Sequence, residues 1–239
     1  MSSIEETYST ERSLPDELPA SPWGLFTEWW DAAHGRAERD GQGPIQRNPN
    51  AMTLATADAD GTPSARVVLC KGMDLDLGHI VFYTNRNSQK GRELGGNPRA
   101  ALVFHWDNLD LQARIAGPVT PSPDAESDAY FVTRPLESRL GAWGSRQSEP
   151  LDSRDTLIEQ VAEAAISLGV QLDDESAEIP RPPHWGGFRV WAERVELWCA
   201  GIGRVHDRAR WTRSLEPATV DTVAGYQSTS EWSATRLNP

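Results

Sequence analysis

The sequence predicts a mainly β protein with flanking helices, built on an antiparallel sheet or barrel. Two observations predict it. From position 51 the apolar spacing changes from helical to extended, and five short strand-like segments fall within about 70 residues, separated by tight turn signals. Three further segments rich in Val, Leu and Trp follow near the C-terminus.

Residues 1–20 are polar, contain Pro15 and Pro19, and read as a flexible arm; 21–239 read as a single domain. Ser21-Pro22 supplies a helix start, Ser as N-cap and Pro at the first helical position. Trp23, Phe26, Trp30 and Ala33 follow at helical spacing, so an amphipathic helix is expected over 21–39, then a loop over 41–50. Strands are expected at 51–57 and 65–71, joined by the hairpin signal Asp60-Gly61, and at 80–84 after a turn at 74–78. Ser88 caps a short helix over 89–96, which ends at Gly95-Gly96 and Asn97-Pro98. Strands at 100–106 and 111–119 complete the block. Residues 123–132 read as a short helix with acids in its first turn, where the helix dipole favours them. Residues 136–148 read as irregular or weakly helical, and 152–168 as an amphipathic helix. An acidic, Pro-rich connector over 170–184 leads to strands at 188–192, 195–199 and 205–211, and 214–231 reads as a polar surface loop.

The 239 residues carry 23 Lys and Arg against 35 Asp and Glu, a formal net charge of −12. That balance argues against broad nucleic-acid binding, which needs a dominant basic field. There is no run of 18 apolar residues for a spanning helix, and the first residues carry acids where a signal peptide has an apolar centre, so a cytoplasmic location without a membrane partner is expected. Cys70 and Cys199 cannot form a disulfide framework or a four-cysteine zinc site and read as buried free thiols. Five His show no metal-ligand spacing, so no metal is expected. Ten Trp imply broad aromatic surfaces to bury in a core, an interface or around a flat ligand.

The charge is unevenly spread. Residues 64–146 hold 10 Lys and Arg against 9 Asp and Glu, whereas the remainder holds 13 against 26. Arg66 and Lys71 bracket one strand, where alternation places them on opposite faces unless a bulge or the strand end intervenes. Ser88, Gln89 and Lys90 open a helix, a pattern that suits a phosphate and equally a capped surface helix. Tyr130, Arg134 and Ser138 stand at four-residue spacing and would share a helical face, although Pro135 interrupts it. In a strand, Arg204, His206 and Arg208 would share one side, as an anion site or a solvated face. There is no P-loop, Rossmann glycine fingerprint, HExxH or G-x-S-x-G. Anion holders without a nucleophile–base pair favour chemistry carried by an organic cofactor.

From about residue 12 to its end the chain resembles the pyridoxamine 5'-phosphate oxidase family. The matching stretches are 51–56 (AMTLAT), 66–71 (RVVLCK), 81–85 (VFYTN) with 88–90, 97–99, 106–112 (WDNLDLQ), 130–138 (YFVTRPLES), 141–148 (GAWGSRQS), 185–190 (WGGFRV), 196–198, 204–208 (RVHDR) and 236–239 (RLNP). The resemblance implies an FMN-binding split β-barrel, antiparallel and Greek-key-like, that pairs as a homodimer with FMN at the subunit interface. It implies FMN contacts from Arg66, Lys71, Tyr83, Thr84, Lys90, Gln112, Gln147, Ser148, Trp198 and Arg208, with Gln89 at a position where the family usually has Arg. It implies that Lys71, Tyr130, Arg134 and Ser138 hold the substrate phosphate, and that Arg204 and His206 are catalytic, packing over the substrate ring. The implied reaction takes a hydride from C4' of pyridoxine or pyridoxamine 5'-phosphate to the flavin and then reduces O2 to H2O2, giving pyridoxal 5'-phosphate. The family's Arg-x-x-Tyr lid pattern is replaced by Glu5-Glu6-Thr7-Tyr8, and 214–231 is longer than expected. These departures keep two alternatives in view: an FMN oxidase of another aromatic metabolite, of the phenazine-biosynthesis type, and a flavin- or pyridoxal-phosphate-binding protein without turnover.

Overall fold

The structure is a computed structural model that describes residues 13–35, 46–171, 177–220 and 223–239. The start of the expected arm (1–12, with Glu5 to Tyr8), the end of the first expected helix (36–39), the first half of the loop over 41–50 (41–45) and part of the acidic connector (172–176) lie outside the described residues.

Helix α1 (Trp23–His34) buries Phe26, Trp29 and Ala33 against the sheet. It starts two residues later than expected: Ser21 Oγ accepts from Trp23 N–H at 3.4 Å, but Pro22 holds the cap position. Strands β1 (Ala51–Ala57) and β2 (Pro63–Leu69) form the first hairpin. Its turn is tied by Asp58, whose Oδ1 accepts from the backbone N–H of Asp60 and Thr62. A short β3 (Gly72–Asp74), absent from the sequence reading, pairs with β4 (His79–Asn85). Helix α2 (Gln89–Gly96) begins at Ser88, whose Oγ accepts from Gly91 N–H. Strands β5 (Arg99–Trp106) and β6 (Leu111–Pro121) form the next hairpin.

Helices α3 (Asp124–Val132), α4 (Leu136–Gly144) and α5 (Arg154–Ser167) follow. The segment expected to be weakly helical thus contains a regular helix. Pro135 breaks α3 and then sets the extended entry to α4, a position where its missing N–H is harmless. The chain finishes with β7 (Trp185–Trp191), β8 (Arg194–Cys199), β9 (Asp207–Thr212), β10 (Leu215–Val220), β11 (Val223–Ser228) and β12 (Ser233–Arg236).

The main sheet runs β12-β9-β8-β6-β5-β1-β2, and all its pairings are antiparallel. The long β6 pairs β8 along its first half, then leaves it and pairs β7 through Val119–Pro121; β7 continues to β4 and β3. This transfer splits the barrel. At that point a Cβ on Gly117 would lie 2.0 Å from the Trp191 carbonyl oxygen, so the close approach of the β7–β8 turn requires glycine. Strand alternation fills the interior with Leu54, Leu102, Phe104, Leu111, Ile115, Val195, Leu197 and Trp211, all fully buried. Each such side chain contributes about 1.5–3 kcal/mol of transfer free energy. A second cluster, Phe131, Leu136, Leu140, Ala165, Ile179 and Trp185, seats α3–α5 against β7.

Three expectations are corrected. Residues 13–20 are docked: Leu14 is buried, its N–H donates to Asp207 Oδ2 at 2.7 Å, and Trp211 Nε1 donates to the Pro19 carbonyl at 2.8 Å. The loop expected over 214–231 contains the β10–β11 hairpin, whose Tyr226 packs on Trp191. The strand expected from 205 begins only at Asp207. Ile202–Arg204 form a 3-10 turn in which Gly203 and Arg204 adopt positive φ, so Arg204, His206 and Arg208 do not share one strand face.

Candidate active site

A cavity of about 1010 Å³ opens between the end of β2, β4, α2 and the α3–α4 corner. It stands at the top of the roughly 300–1,000 Å³ range of small-molecule sites. Among the described residues four cations line it, Arg66, Lys71, Lys90 and Arg134, and no carboxylate does. The strand-end condition on Arg66 and Lys71 is met: β2 stops at Leu69, Lys71 lies in the connection to β3, and both side chains reach the cavity.

One end is built by β2, β4 and the start of α2. Lys90 is buried, and its Nζ donates to Gln147 Oε1 (2.9 Å), Ser88 Oγ (3.1 Å) and Thr84 Oγ1 (3.3 Å). These partners are all neutral. Burial and the Arg66 charge lower the Lys90 pKa, against the opposing pull of Glu93. Arg66 donates to Thr56 and Ser64 hydroxyls and reaches Glu93 Oε2 at 3.3 Å.

The other end is aromatic. Tyr83 stacks on Tyr130 (centroids 4.2 Å, 20°) and on Trp185 (5.4 Å, 8°). Gly187 makes room for this wall, since a Cβ there would meet Tyr83 Cε1 at 2.8 Å. The Tyr83 hydroxyl donates to Glu126 Oε1 at 3.1 Å, and burial with the Glu126 charge pushes the phenol pKa up, so it stays protonated. Glu126 is itself held by Arg189 Nη2 at 2.7 Å. Arg134 lies 4.7 Å over the Trp185 ring, and its buried Nη1 has no hydrogen-bond partner. Burial lowers its pKa. Lys71 Nζ is 5.9 Å from the Tyr130 ring centre, and Ser138 lines the same wall. Tyr130, Arg134 and Ser138 therefore converge across the Pro135 break.

An unpartnered buried guanidinium nitrogen and a buried ammonium with only neutral partners are groups that an anion satisfies. Flat aromatic walls lie beside them. This set fits a phosphorylated ring system such as FMN at the Arg66–Lys90 end, with a second anion at the Arg134 end.

The remaining expected residues do not line this cavity. Gln112, Trp198 and Arg208 form one row across β6, β8 and β9, with Gln112 opposite Trp198 and Trp198 opposite Arg208. Arg208 Nη2 donates to buried Glu196 at 2.6 Å. His206 packs 4.7 Å from the Trp198 ring, and its Nδ1 accepts from Gly201 N–H at 3.1 Å, which leaves the proton of the neutral ring on Nε2. Arg204 is exposed. Ser148 is exposed at a φ of 74°, and Gln89 is exposed with its amide donating to Glu93 Oε1 at 2.8 Å. The sequence reading missed Trp185 as a cavity wall and the two carboxylates behind the site, Glu93 and Glu126. Only the four-residue step from Gln89 to Glu93 signalled either carboxylate.

The sequence profile of pyridoxamine 5'-phosphate oxidase matches residues 44–168, and that of the pyridoxine 5'-phosphate oxidase C-terminal dimerisation region matches 185–239. The chain is 46% identical over 219 residues to the pyridoxine/pyridoxamine 5'-phosphate oxidase of Rhodopseudomonas palustris HaA2, covering 92% of this chain and 90% of that one. It is 48% identical over 192 residues to that of Azorhizobium caulinodans, covering 80% and 83%. Among solved structures, PhzG from Burkholderia lata 383, in complex with tetrahydrophenazine-1-carboxylic acid, superposes with a TM-score of 0.76 at 30% identity over 97% of this chain and all of that one. A pyridoxamine 5'-phosphate oxidase-related, FMN binding protein from Nostoc punctiforme shares the fold, with a TM-score of 0.64 at 18% identity over 92% of this chain and 98% of that one. No helix among the described residues is long and apolar enough to cross a membrane. With its split barrel, its cation-lined cavity and its dimerisation region, the chain belongs to the pyridoxamine 5'-phosphate oxidase family of FMN-dependent oxidoreductases.

Proposed function

We propose that the protein oxidises pyridoxine 5'-phosphate or pyridoxamine 5'-phosphate to pyridoxal 5'-phosphate and passes the electrons to O2, forming H2O2. The observation that carries this reading is a pair of cationic groups in one aromatic-walled cavity: Lys90, buried with only neutral partners, and Arg134, whose buried Nη1 has no partner. FMN, when bound, supplies the two-electron acceptor that no side chain offers. Arg66 and Lys90 hold its phosphate, with Thr84 and Gln147 beside them. Lys71, Tyr130, Arg134 and Ser138 grip the substrate phosphate. The aromatic wall and Arg134 orient the substrate ring.

Trp198, Arg204, His206 and Arg208 all lie within the 185–239 match to the dimerisation region, and Gln112 pairs with Trp198. This supports a homodimer in which a second copy brings that row over the cavity. Arg204 and the His206 Nε2–H would then pack over the substrate ring, and Gln112, Trp198 and Arg208 over the flavin. Ser148 and Gln89 flank the cavity at its flavin end, and Gln89 acts there through Glu93.

The test is turnover by purified, FMN-loaded protein, read as stoichiometric pyridoxal 5'-phosphate and H2O2 from either vitamin phosphate. Absence of turnover with both, despite bound FMN, contradicts the proposal. The likeness to PhzG favours a second reading, oxidation of an aromatic carboxylate at the Arg134 end. Turnover of a reduced phenazine carboxylate and none of the vitamin phosphates would select it.

A further inference from the structure

Behind the flavin-phosphate end of the cavity stands a carboxylate that no ligand role accounts for. Glu93 is on α2, three residues after Lys90, and is 7% exposed. It collects an unusual density of donors. Thr56 Oγ1 donates to Oε2 at 2.5 Å, Ser64 Oγ to both oxygens at 2.7 Å, Gln89 Nε2 to Oε1 at 2.8 Å, and Arg66 Nη2 to Oε2 at 3.3 Å. Burial alone would disfavour its charge, but these hydrogen bonds and the Arg66 charge outweigh burial and lower its pKa to about 2, so it is ionised at neutral pH.

The geometry around Arg66 is a double relay. Nη1 donates to Thr56 and Nη2 to Ser64, and each hydroxyl in turn donates a hydrogen bond to Glu93. Thr56 and Ser64 are register partners in the β1–β2 hairpin, and Arg66 lies two residues beyond Ser64 on the same face. The hairpin therefore sets both hydroxyls at one spacing, and the guanidinium fork meets them edge-on. A long, flexible side chain on an edge strand is in this way fixed at its tip. Fixing it in advance removes much of the rotamer entropy that a ligand would otherwise have to overcome.

We propose that Glu93 is a positioning residue for the cofactor phosphate: through Thr56 and Ser64 it holds the Arg66 guanidinium aligned with Lys90, so that the chain selects the phosphorylated flavin over riboflavin. The inference rests on the reading that the Arg66–Lys90 end takes the FMN phosphate. Simple Coulomb repulsion argues the opposite effect. A carboxylate behind a phosphate site repels the ligand, so removing it would tighten FMN if charge alone decided the outcome. The sign of the change therefore separates positioning from repulsion.

The experiment measures dissociation constants of FMN and riboflavin by flavin fluorescence quenching, for the apoprotein of the wild type, Glu93→Ala, Glu93→Gln and the double variant Thr56→Val/Ser64→Ala. The expected result is a loss of FMN affinity of about tenfold for Glu93→Ala, the scale of losing one charge-assisted contact, with riboflavin changed by less than about twofold. Glu93→Gln keeps the acceptor oxygen and the side-chain volume, so it is expected to fold even if the alanine variant does not, and to lose FMN affinity to a smaller degree. The double variant shifts the FMN-to-riboflavin ratio in the same direction with the carboxylate intact. Parallel weakening of both flavins shows a merely structural tie and overturns the inference. Unchanged or tighter FMN binding overturns it as well. A wild type that does not prefer FMN over riboflavin overturns the phosphate assignment, and the inference with it.

Discussion

Arg134 shows how one residue joins structure to reaction. Its guanidinium is stacked on Trp185, which desolvates one face, and its Nη1 is left buried without a partner. A phosphate that supplies that partner gains a charge-assisted bond in a partly desolvated setting. Arg134→Ala is expected to lower kcat/KM for the vitamin phosphate by about 10- to 100-fold, chiefly through KM, with FMN binding kept. Steady-state kinetics beside an FMN titration check this, and equal losses in both would move Arg134 to the cofactor. At this scale the sequence was informative about cations and silent about their counter-ions. Lys71, Lys90 and Arg134 could be picked out by residue type and neighbours. Glu126 could not, and Glu93 only through its four-residue step from Gln89, because Glu93 meets Arg66 where α2 packs on the β1–β2 hairpin and Glu126 meets Arg189 across the α3–β7 contact.

The secondary-structure elements were legible wherever periodicity was strong. Strands β1, β5, β6 and β8 fall within a few residues of their expected bounds, and Ser88 and Ser153 cap α2 and α5. The misses share a cause. Strands β10, β11 and β12 carry no apolar alternation and have few buried residues, so hydrogen bonding defines them more than burial does. The same holds for residues 13–20, whose polar composition reads as an arm although side chains far along the sequence tie them down. Arg236 donates to the Pro15 carbonyl at 2.6 Å and pairs with Asp207, and Asp207 accepts from Leu14 N–H. Asp207 therefore holds the N-terminal segment and the C-terminal strand together. The Arg236–Asp207 pair is partly exposed, so most of the effect comes from the backbone bond. Asp207→Ala is expected to cost about 1 kcal/mol, a Tm decrease of roughly 2–4 °C for a domain of this size, and to speed proteolysis near Leu14. Thermal melts and limited proteolysis check this; an unchanged cleavage rate would show that Leu14 is held by burial alone.

At the scale of the whole molecule, the net charge of −12 excluded a basic binding field and left room for a local cationic pocket. The structure collects four cations around one cavity inside that acidic chain. The same scale explains why half of the expected site was not found together. Arg66 lies on β2 at one end of the sheet order, while Trp198 and Arg208 lie on β8 and β9, with β6, β5 and β1 between them and β2. No local pattern in a sequence says whether two such groups of residues would meet in one site across two copies of the chain. Apolar side chains exposed at both places, Val67 and Leu69 on β2 and Ile202 and Val205 beside Arg204, are the surfaces such a pairing would cover. The most direct test is an isolated heterodimer of Arg134→Ala and Arg204→Ala subunits, each strongly impaired as a homodimer at substrate well below the wild-type KM, purified through two different affinity tags and assayed at that concentration for pyridoxal 5'-phosphate formation. If each site takes its cavity from one copy and its Arg204 from the other, one of the two sites is intact and the heterodimer recovers about half of the wild-type turnover. A heterodimer as impaired as its parents would contradict the shared site.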